Sequence, residues 1–357
     1  MKFIHLFTKI GPYSLKFLHF YKANFDINSC IFVFRQHKPP ENILIGLEDL
    51  RIIFIPDFPV FIKVLHPYLI RADHIYFHYF SSGPVLLYWL IMNNLMSKTT
   101  WIVWGYDLHW GFTKSKRTKE KVFESIRRIL IRRMHSFFVF IDGDWELLQM
   151  RYRPVGKRYY VFYPLPAGGD NIDVADTNQD NIYRILTGNS AWAANKHNEI
   201  FDILSKYASE DLQLLCPLSY GGDDDYIKRV IAHGYGIFDE KFRPLLDFIP
   251  PEQYADLLKR TSVVILNYEV QAGLGNVLGM LNLGKKVYMR AETTPYKFLK
   301  DKGFYVFDTG SIRNLTFSEF ISFDVEKQTQ NKSLFNKYFS NNAFVEMWRN
   351  AFKDIEG

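Results

Sequence analysis

Along the first half of the chain, short apolar runs alternate with longer stretches whose apolar residues recur every three or four positions. Phe3–Phe7, Cys30–Arg35, Ile52–Ile55, His74–His78, Thr100–Trp104, Phe137–Ile141 and Tyr159–Phe162 read as strands. Helical spacing lies between them, at Leu15–Tyr21 after the Gly11-Pro12 turn, at Phe61–Leu69, at Pro84–Met92, within the basic segment Lys114–Arg133 and at Asp144–Met150. Strands separated by helices of this length predict βαβ units and a parallel sheet.

Pro164–Asn181 is polar, bears Gly and Pro and has no periodicity, as a linker does. The alternation then restarts. Ile182–Thr187, Leu212–Pro217, Ser262–Asn267, Lys286–Met289 and Tyr305–Phe307 read as strands, and Phe238 as weakly strand-like. His197–Tyr207, Asp223–Ala232, Pro251–Arg260, Gly275–Leu283, Pro295–Lys300 and Ser333–Glu356 read as helices. The expected architecture is α/β, with two Rossmann-like domains over 1–165 and 181–332, a linker over 166–180, and a helical segment over 333–357 returning to the first domain. Ligands bind beyond the carboxyl ends of open parallel sheets. Two such edges facing across a cleft would hold a donor on one domain and an acceptor on the other.

Composition narrows this little. Hydrophobic residues at 48% and charged residues at 23% exclude disorder and fibrous classes. Cys30 and Cys216 form no CxxC pattern, so a disulfide framework and a zinc site are not expected; buried free thiols in a reducing cytoplasm are. The N-terminus lacks the pattern of a signal peptide. The longest apolar stretch, Pro84–Met92, is about half a membrane span. A cytoplasmic protein, soluble or peripheral, is expected.

Charge changes the picture more. The net charge is +6, and much of the excess lies in one segment: Lys114, Lys116, Arg117, Lys119, Lys121, Arg127, Arg128, Arg132 and Arg133 against Glu120 and Glu124. Val122, Phe123, Ile126, Ile129, Leu130 and Met134 interleave at helical spacing. Such a helix suits an anionic membrane surface, with Lys116, Arg117, Lys121, Arg127 and Arg128 on the inner face of the cell membrane. A solvated helix face and a nucleic-acid patch are the alternatives; no nucleic-acid partner is expected.

The segment Val263–Met289 reads strand, glycine loop, helix, glycine turn, strand. Gly273 and Gly275 bracket the loop, which lets backbone N–H groups and a helix N-terminus approach a diphosphate; a tight turn with no ligand is the plain alternative. The arrangement resembles the donor-binding element of GT-B glycosyltransferases. Many retaining members carry two glutamates there, at positions occupied by Gln271 and Gly279 in this chain. That departure leaves the stereochemistry open.

FHYF at Phe77–Phe80, WGYDL at Trp104–Leu108, LTGNS at Leu186–Ser190, PLSY at Pro217–Tyr220 and QAGLGN at Gln271–Asn276 occur in this order. Together they resemble glycosyltransferase family 56, over about His5 to Leu299. The resemblance implies a nucleotide-sugar donor, dTDP-4-acetamido-4,6-dideoxygalactose in the family's enterobacterial-common-antigen enzyme. It also implies a polyprenyl-diphosphate-linked oligosaccharide acceptor and no metal cofactor. It carries donor binding onto Gly188, Asn189, Ser190, Tyr220, Gln271, Gly273, Gly275 and Asn276. Gly188–Ser190 has a helix cap as its alternative reading, and Tyr220 a plain core or surface role.

His78 and Asp107 follow strand ends and are the candidate catalytic bases; His5 matches the family more weakly. His78 has an ordinary pKa suited to the task, whereas Asp107 needs burial to raise its own, or else orients His78 or the acceptor. Lys196 and Arg290 are candidate cations for the diphosphate. Asp223–Asp225 suits a helix cap better than a metal. A nucleotide-sugar epimerase and a non-catalytic nucleotide-sugar binding protein are the competing functions.

Overall fold

The computed structural model describes residues 2–80, 83–109, 118–165, 182–269 and 273–356. The expected linker, Lys116, Arg117 and Gln271 lie outside them. The chain divides into two units, Met1–Pro164 with Phe344–Gly357, and Leu165–Ala343.

The first unit holds β1 (Phe3–Phe7), β2 (Cys30–Phe34), β3 (Ile52–Phe54), β4 (His74–Phe77), β5 (Thr99–Ile102), β6 (Ser136–Val139) and β7 (Lys157–Tyr160). They form one sheet in the order β3-β2-β1-β4-β5-β6-β7, and every pair is parallel. Each residue of β1, β2, β4, β5 and β6 is buried, as a sheet covered by helices on both faces requires. The helices are α1 (Pro12–Asn24), α2 (Phe58–Arg71), α3 (Val85–Ile91), α4 (Gly105–His109), α5 (Thr118–Ile131) and α6 (Asp142–Tyr152).

The second unit holds β8 (Tyr183–Thr187), β9 (Leu212–Pro217), β10 (Phe242–Leu245), β11 (Val263–Leu266), β12 (Lys286–Met289) and β13 (Phe307–Asp308), also all parallel, in the order β10-β9-β8-β11-β12-β13. Its helices are α7 (His197–Leu204), α8 (Asp224–Phe238), α9 (Pro251–Arg260), α10 (Leu274–Asn282), α11 (Thr294–Asp301), α12 (Phe317–Ile321) and α13 (Val325–Phe339).

Three expectations change. Strand β10 is absent from the sequence reading because Pro244 interrupts its pattern; it is an edge strand, where a missing N–H costs no ladder bond. Phe238 ends α8 rather than forming a strand. Gly234 interrupts the helical pattern for a packing reason, since a Cβ there would lie 2.6 Å from the Phe242 ring. The single C-terminal helix is two, broken at Ser340, whose backbone is extended. Helix α13 packs on α10. The last helix, α14 (Asn341–Glu356), carries Phe344 onward into the first unit.

Aromatic packing explains that return. Trp348 is fully buried among Phe17, Phe138 and Tyr163, and its indole N–H donates to the Phe162 carbonyl at 2.8 Å. An indole buried with its N–H satisfied anchors a helix through both area and a hydrogen bond.

Each sheet has one point where strand order reverses: between β1 and β4 in the first unit, and between β8 and β11 in the second. Loops diverge there, leaving room for a ligand at the carboxyl edge.

Candidate functional site

At the reversal point of the second sheet, two glycine loops meet. Gly188 follows β8 with φ +73, and a Cβ on it would lie 2.5 Å from His197 Nε2. Only glycine meets both demands. His197 opens α7 with its ring buried; Nδ1 lies 2.9 Å from the Tyr226 hydroxyl, and burial lowers its pKa to about 4. The ring is therefore neutral at pH 7. Asn195 braces the loop, donating to the Ser190 carbonyl at 3.0 Å and the Trp192 carbonyl at 3.1 Å. Lys196, with φ 53, is the cap residue of α7, so Gly188, Asn189 and Ser190 do not cap that helix.

From the other side, β11 runs into Asn267, Tyr268 and Glu269. Gly273, at φ +62, starts α10; a Cβ there would lie 3.1 Å from both Asn189 Cγ and the Tyr268 hydroxyl oxygen. Gly188–Ser190 and Gly273 are thus brought together, as the sequence suggests. Gly275 lies within the first turn of α10 rather than in the loop. Asn276 donates its side-chain amide to the Tyr254 hydroxyl at 2.8 Å and so ties α10 to α9.

Gly273 has no side chain to cap α10, and among the described residues none caps it, so first-turn amides of a helix N-terminus stand at the loop junction. Asn189 Oδ1 is buried there without a hydrogen-bond partner. Tyr220 is 60% exposed, while its carbonyl accepts from Ala191 N at 2.8 Å, joining the segment after β9 to the Gly188 loop.

The candidate cations differ. Arg290 is held by the Asn267 carbonyl at 2.9 Å, by Glu199 and by Glu292. Lys196 faces only Glu269 among these carboxylates, at 3.5 Å, and is 41% exposed. Asp223 accepts from Tyr226 N at 2.8 Å and is the cap of α8.

In the first unit the reversal point is filled. His5 Nδ1 lies 2.8 Å from His78 Nε2, and His78 Nδ1 is hydrogen-bonded to the Tyr163 hydroxyl. The His78 ring is buried, stacked on Phe7 at 3.8 Å. Desolvation, then the neighbouring His5, holds its pKa well below the ordinary value. Both ring nitrogens are occupied inside the fold, so neither is open to an acceptor hydroxyl. Beside this, a cavity of about 50 Å³ opens at the ends of β1, β2 and β4; Thr8, Arg35 and Tyr79 are polar residues in its lining.

Asp107 sits on α4, fully buried. Its Oδ2 accepts from Trp101 Nε1 at 2.8 Å and from Phe80 N at 3.1 Å, while Oδ1 has no partner. Desolvation raises its pKa to about 7 against the lowering effect of Arg127. Asp144, on α6, is buried with both carboxyl oxygens unpartnered; desolvation and then Asp107 push its pKa well up.

Arg127 corrects the membrane reading of its side chain. It is 1% exposed, donates to the Asp107 carbonyl at 2.7 Å and the Tyr152 hydroxyl at 2.7 Å, and lies 4.9 Å over the Trp101 ring. It is an internal tie between α4, α5 and α6. Lys121 and Arg128 are exposed. Sequence reasoning overlooked Asn195, His197 and Asp144. Asn195 and His197 follow the Gly188 loop closely and Asp144 follows a strand, which is the signal that marked the other candidates.

Residues 70–357 match the family described as 4-alpha-L-fucosyltransferase glycosyl transferase group 56. Anabaena HepE, solved in complex with UDP and glucose, is similar over 99% of this chain and 100% of its own, at 12% identity and TM-score 0.71. A glycosyltransferase from Rickettsia africae is similar over 99% and 98%, at 12% identity and TM-score 0.72. The lipopolysaccharide outer core galactosyltransferase WaaB is similar over 99% of each chain, at 13% identity and TM-score 0.65. These likenesses establish the GT-B fold, on which the paired glycine loops at the second reversal point are built. With the family matched over most of its length, the chain belongs to glycosyltransferase family 56 and is a glycosyltransferase.

Proposed function

We propose that the protein transfers a deoxy-amino sugar from a dTDP- or UDP-sugar to a polyprenyl-diphosphate-linked oligosaccharide at the inner membrane surface, in bacterial surface polysaccharide synthesis. The donor sugar favoured by the family resemblance is 4-acetamido-4,6-dideoxygalactose. The observation that carries the donor half is the meeting of Gly188–Ser190 with Gly273 at the N-terminus of α10. Amides and helix field there favour a diphosphate, Lys196 adds charge, and the exposed Tyr220 ring offers a face to the base. The charge is supplied without a metal.

On the acceptor side, Asp107 and His78 act as positioning residues that hold the ends of β4 and α4 in shape, because their polar atoms face inward. Thr8, Arg35 and Tyr79 line the cavity where the acceptor meets the first sheet.

The test is a thermal-shift screen with dTDP, UDP, GDP, CMP and ADP. A ligand at one hundred times its dissociation constant adds about 2.7 kcal/mol of stability. Selective stabilisation by dTDP supports the acetamido-dideoxygalactose donor; UDP, the nucleotide in the HepE structure, would change the sugar and keep the reaction class. Consumption of the nucleotide sugar without acceptor would instead favour an epimerase. A folded protein stabilised by none of the five would refute the donor site.

A further inference from the structure

Where α5 and α6 end, the first unit carries a cavity of about 410 Å³ lined by Arg128, Arg132, Met150, Arg151, Tyr152 and Arg153. Four guanidinium side chains border one space. Glu124 pairs with Arg151 at 3.2 Å and also accepts from the Tyr152 hydroxyl at 2.9 Å. Among the described residues, Arg128, Arg132 and Arg153 have no carboxylate partner. Like charges gathered without counter-charges make a site for an anion, and guanidinium forks match phosphate oxygens in geometry.

Cations also suit helix C-termini, but that alone does not explain Arg153. Arg151 already occupies the last turn of α6. Arg153 stands in the left-handed region, at φ 48, at the helix end where glycine is the unstrained choice. The chain keeps a charged side chain at a strained position that borders the cavity.

The surroundings are apolar as well as basic. Met150 lines the cavity and is 66% exposed, Ile129 beside Arg128 is 44% exposed, and Val155 just beyond Arg153 is 84% exposed. Lys121, Val122, Ser125, Arg128 and Ile129 make one exposed face of α5 at helical spacing, and Arg132 just past its end is exposed as well. A free phosphate ion uses no apolar surface. A phospholipid provides a headgroup phosphate with apolar material directly beneath it.

We propose that this cavity binds the phosphate of an anionic phospholipid headgroup, with Met150 and Ile129 entering the headgroup region, and that it anchors the protein on the bilayer. This rests on the membrane-surface reading above and gives it a defined binding site in place of diffuse charge.

The test is co-sedimentation of the full chain with phosphatidylcholine vesicles containing or lacking phosphatidylglycerol. The wild type is expected to bind only the anionic vesicles and to be released by salt. R128A/R132A is expected to lose about tenfold or more in affinity. M150D is expected to lose vesicle binding. R153G is expected to bind more weakly while its melting temperature is unchanged or about 2–4 °C higher, because the strain is relieved; a purely structural arginine would not give that combination. Nucleotide stabilisation belongs to the second unit and is expected to be the same in R128A/R132A, so failure of the donor reading and failure of this one are separable. Wild-type protein that ignores anionic vesicles, or arginine variants that bind them equally well, would overturn the proposal. So would inorganic pyrophosphate or duplex DNA binding through the same arginines without vesicle binding.

Discussion

His5 on β1 and His78, the residue that follows the neighbouring parallel strand β4, lie with His5 Nδ1 2.8 Å from His78 Nε2, and the Tyr163 hydroxyl completes the chain of hydrogen bonds. Burial holds the His5 pKa at about 3 and the His78 pKa well below its ordinary value, so both rings are neutral and one donates to the other. A histidine with depressed pKa supports the fold above its ordinary value of 6.5 and loses that contribution as pH falls toward 3. His78→Phe is expected to cost roughly 2–4 kcal/mol in urea unfolding, because His5 and Tyr163 lose buried partners. A catalytic base would show the reverse, with stability kept and kcat reduced by about 10²-fold or more.

The carboxyl of Asp107 gives the opposite pH signature. Its pKa rises from 3.8 to about 7 on folding, so the native state binds more protons than the unfolded chain between those values. Its contribution is complete below pH 3.8 and is lost as pH rises through about 7. Asp107→Asn cannot ionise. The stability of the wild type minus that of Asp107→Asn is expected to fall by roughly 2–4 kcal/mol between about pH 4.5 and pH 8. Melting curves over that range decide it; a constant difference would mean that Asp107 is ionised throughout.

Gly188 and Gly273 separate folding from donor binding. Gly188→Ala forces a Cβ to 2.5 Å from His197 Nε2 and strains the backbone, so a loss of about 1–3 kcal/mol in stability is expected. Gly273→Ala meets Asn189 and Tyr268 at 3.1 Å, at the junction of the two loops. It is expected to weaken nucleotide binding by about tenfold or more while lowering the melting temperature less than Gly188→Ala. Calorimetric titration of both variants with dTDP and UDP checks the order.

Trp348 tests how α14 is held. Its fully buried indole packs on Phe17, Phe138 and Tyr163 and donates to Phe162. Trp348→Ala is expected to destabilise the first unit by about 3–5 kcal/mol. Trp348→Phe should recover most of the packing but not the hydrogen bond. Equal losses in the two variants would place the anchor in the hydrogen bond rather than the buried area.

Hydrophobic patterning by itself determined two parallel α/β units. A strand buried on both faces is apolar at most positions, and the runs at Phe3–Phe7, Leu212–Pro217 and Lys286–Met289 show it locally, each with a single polar residue. The glycines at 188 and 273 were also legible, because a strand end followed by glycine marks a place where backbone must turn or approach a ligand. Tertiary structure decided the rest. Periodicity places Arg127 on a basic helix but does not say which basic residue turns inward; the space between Trp101 and Tyr152 does. It places His78 and Asp107 at strand ends but not which of their polar atoms are already taken: Tyr163 and His5 take both ring nitrogens of His78, whereas Trp101 and Phe80 take Oδ2 of Asp107 and leave Oδ1 buried without a partner. Local sequence sets which backbone can form. The hydrogen bonds of His78 and Asp107 are occupied by partners that lie up to 85 residues away, and only the fold brings them together.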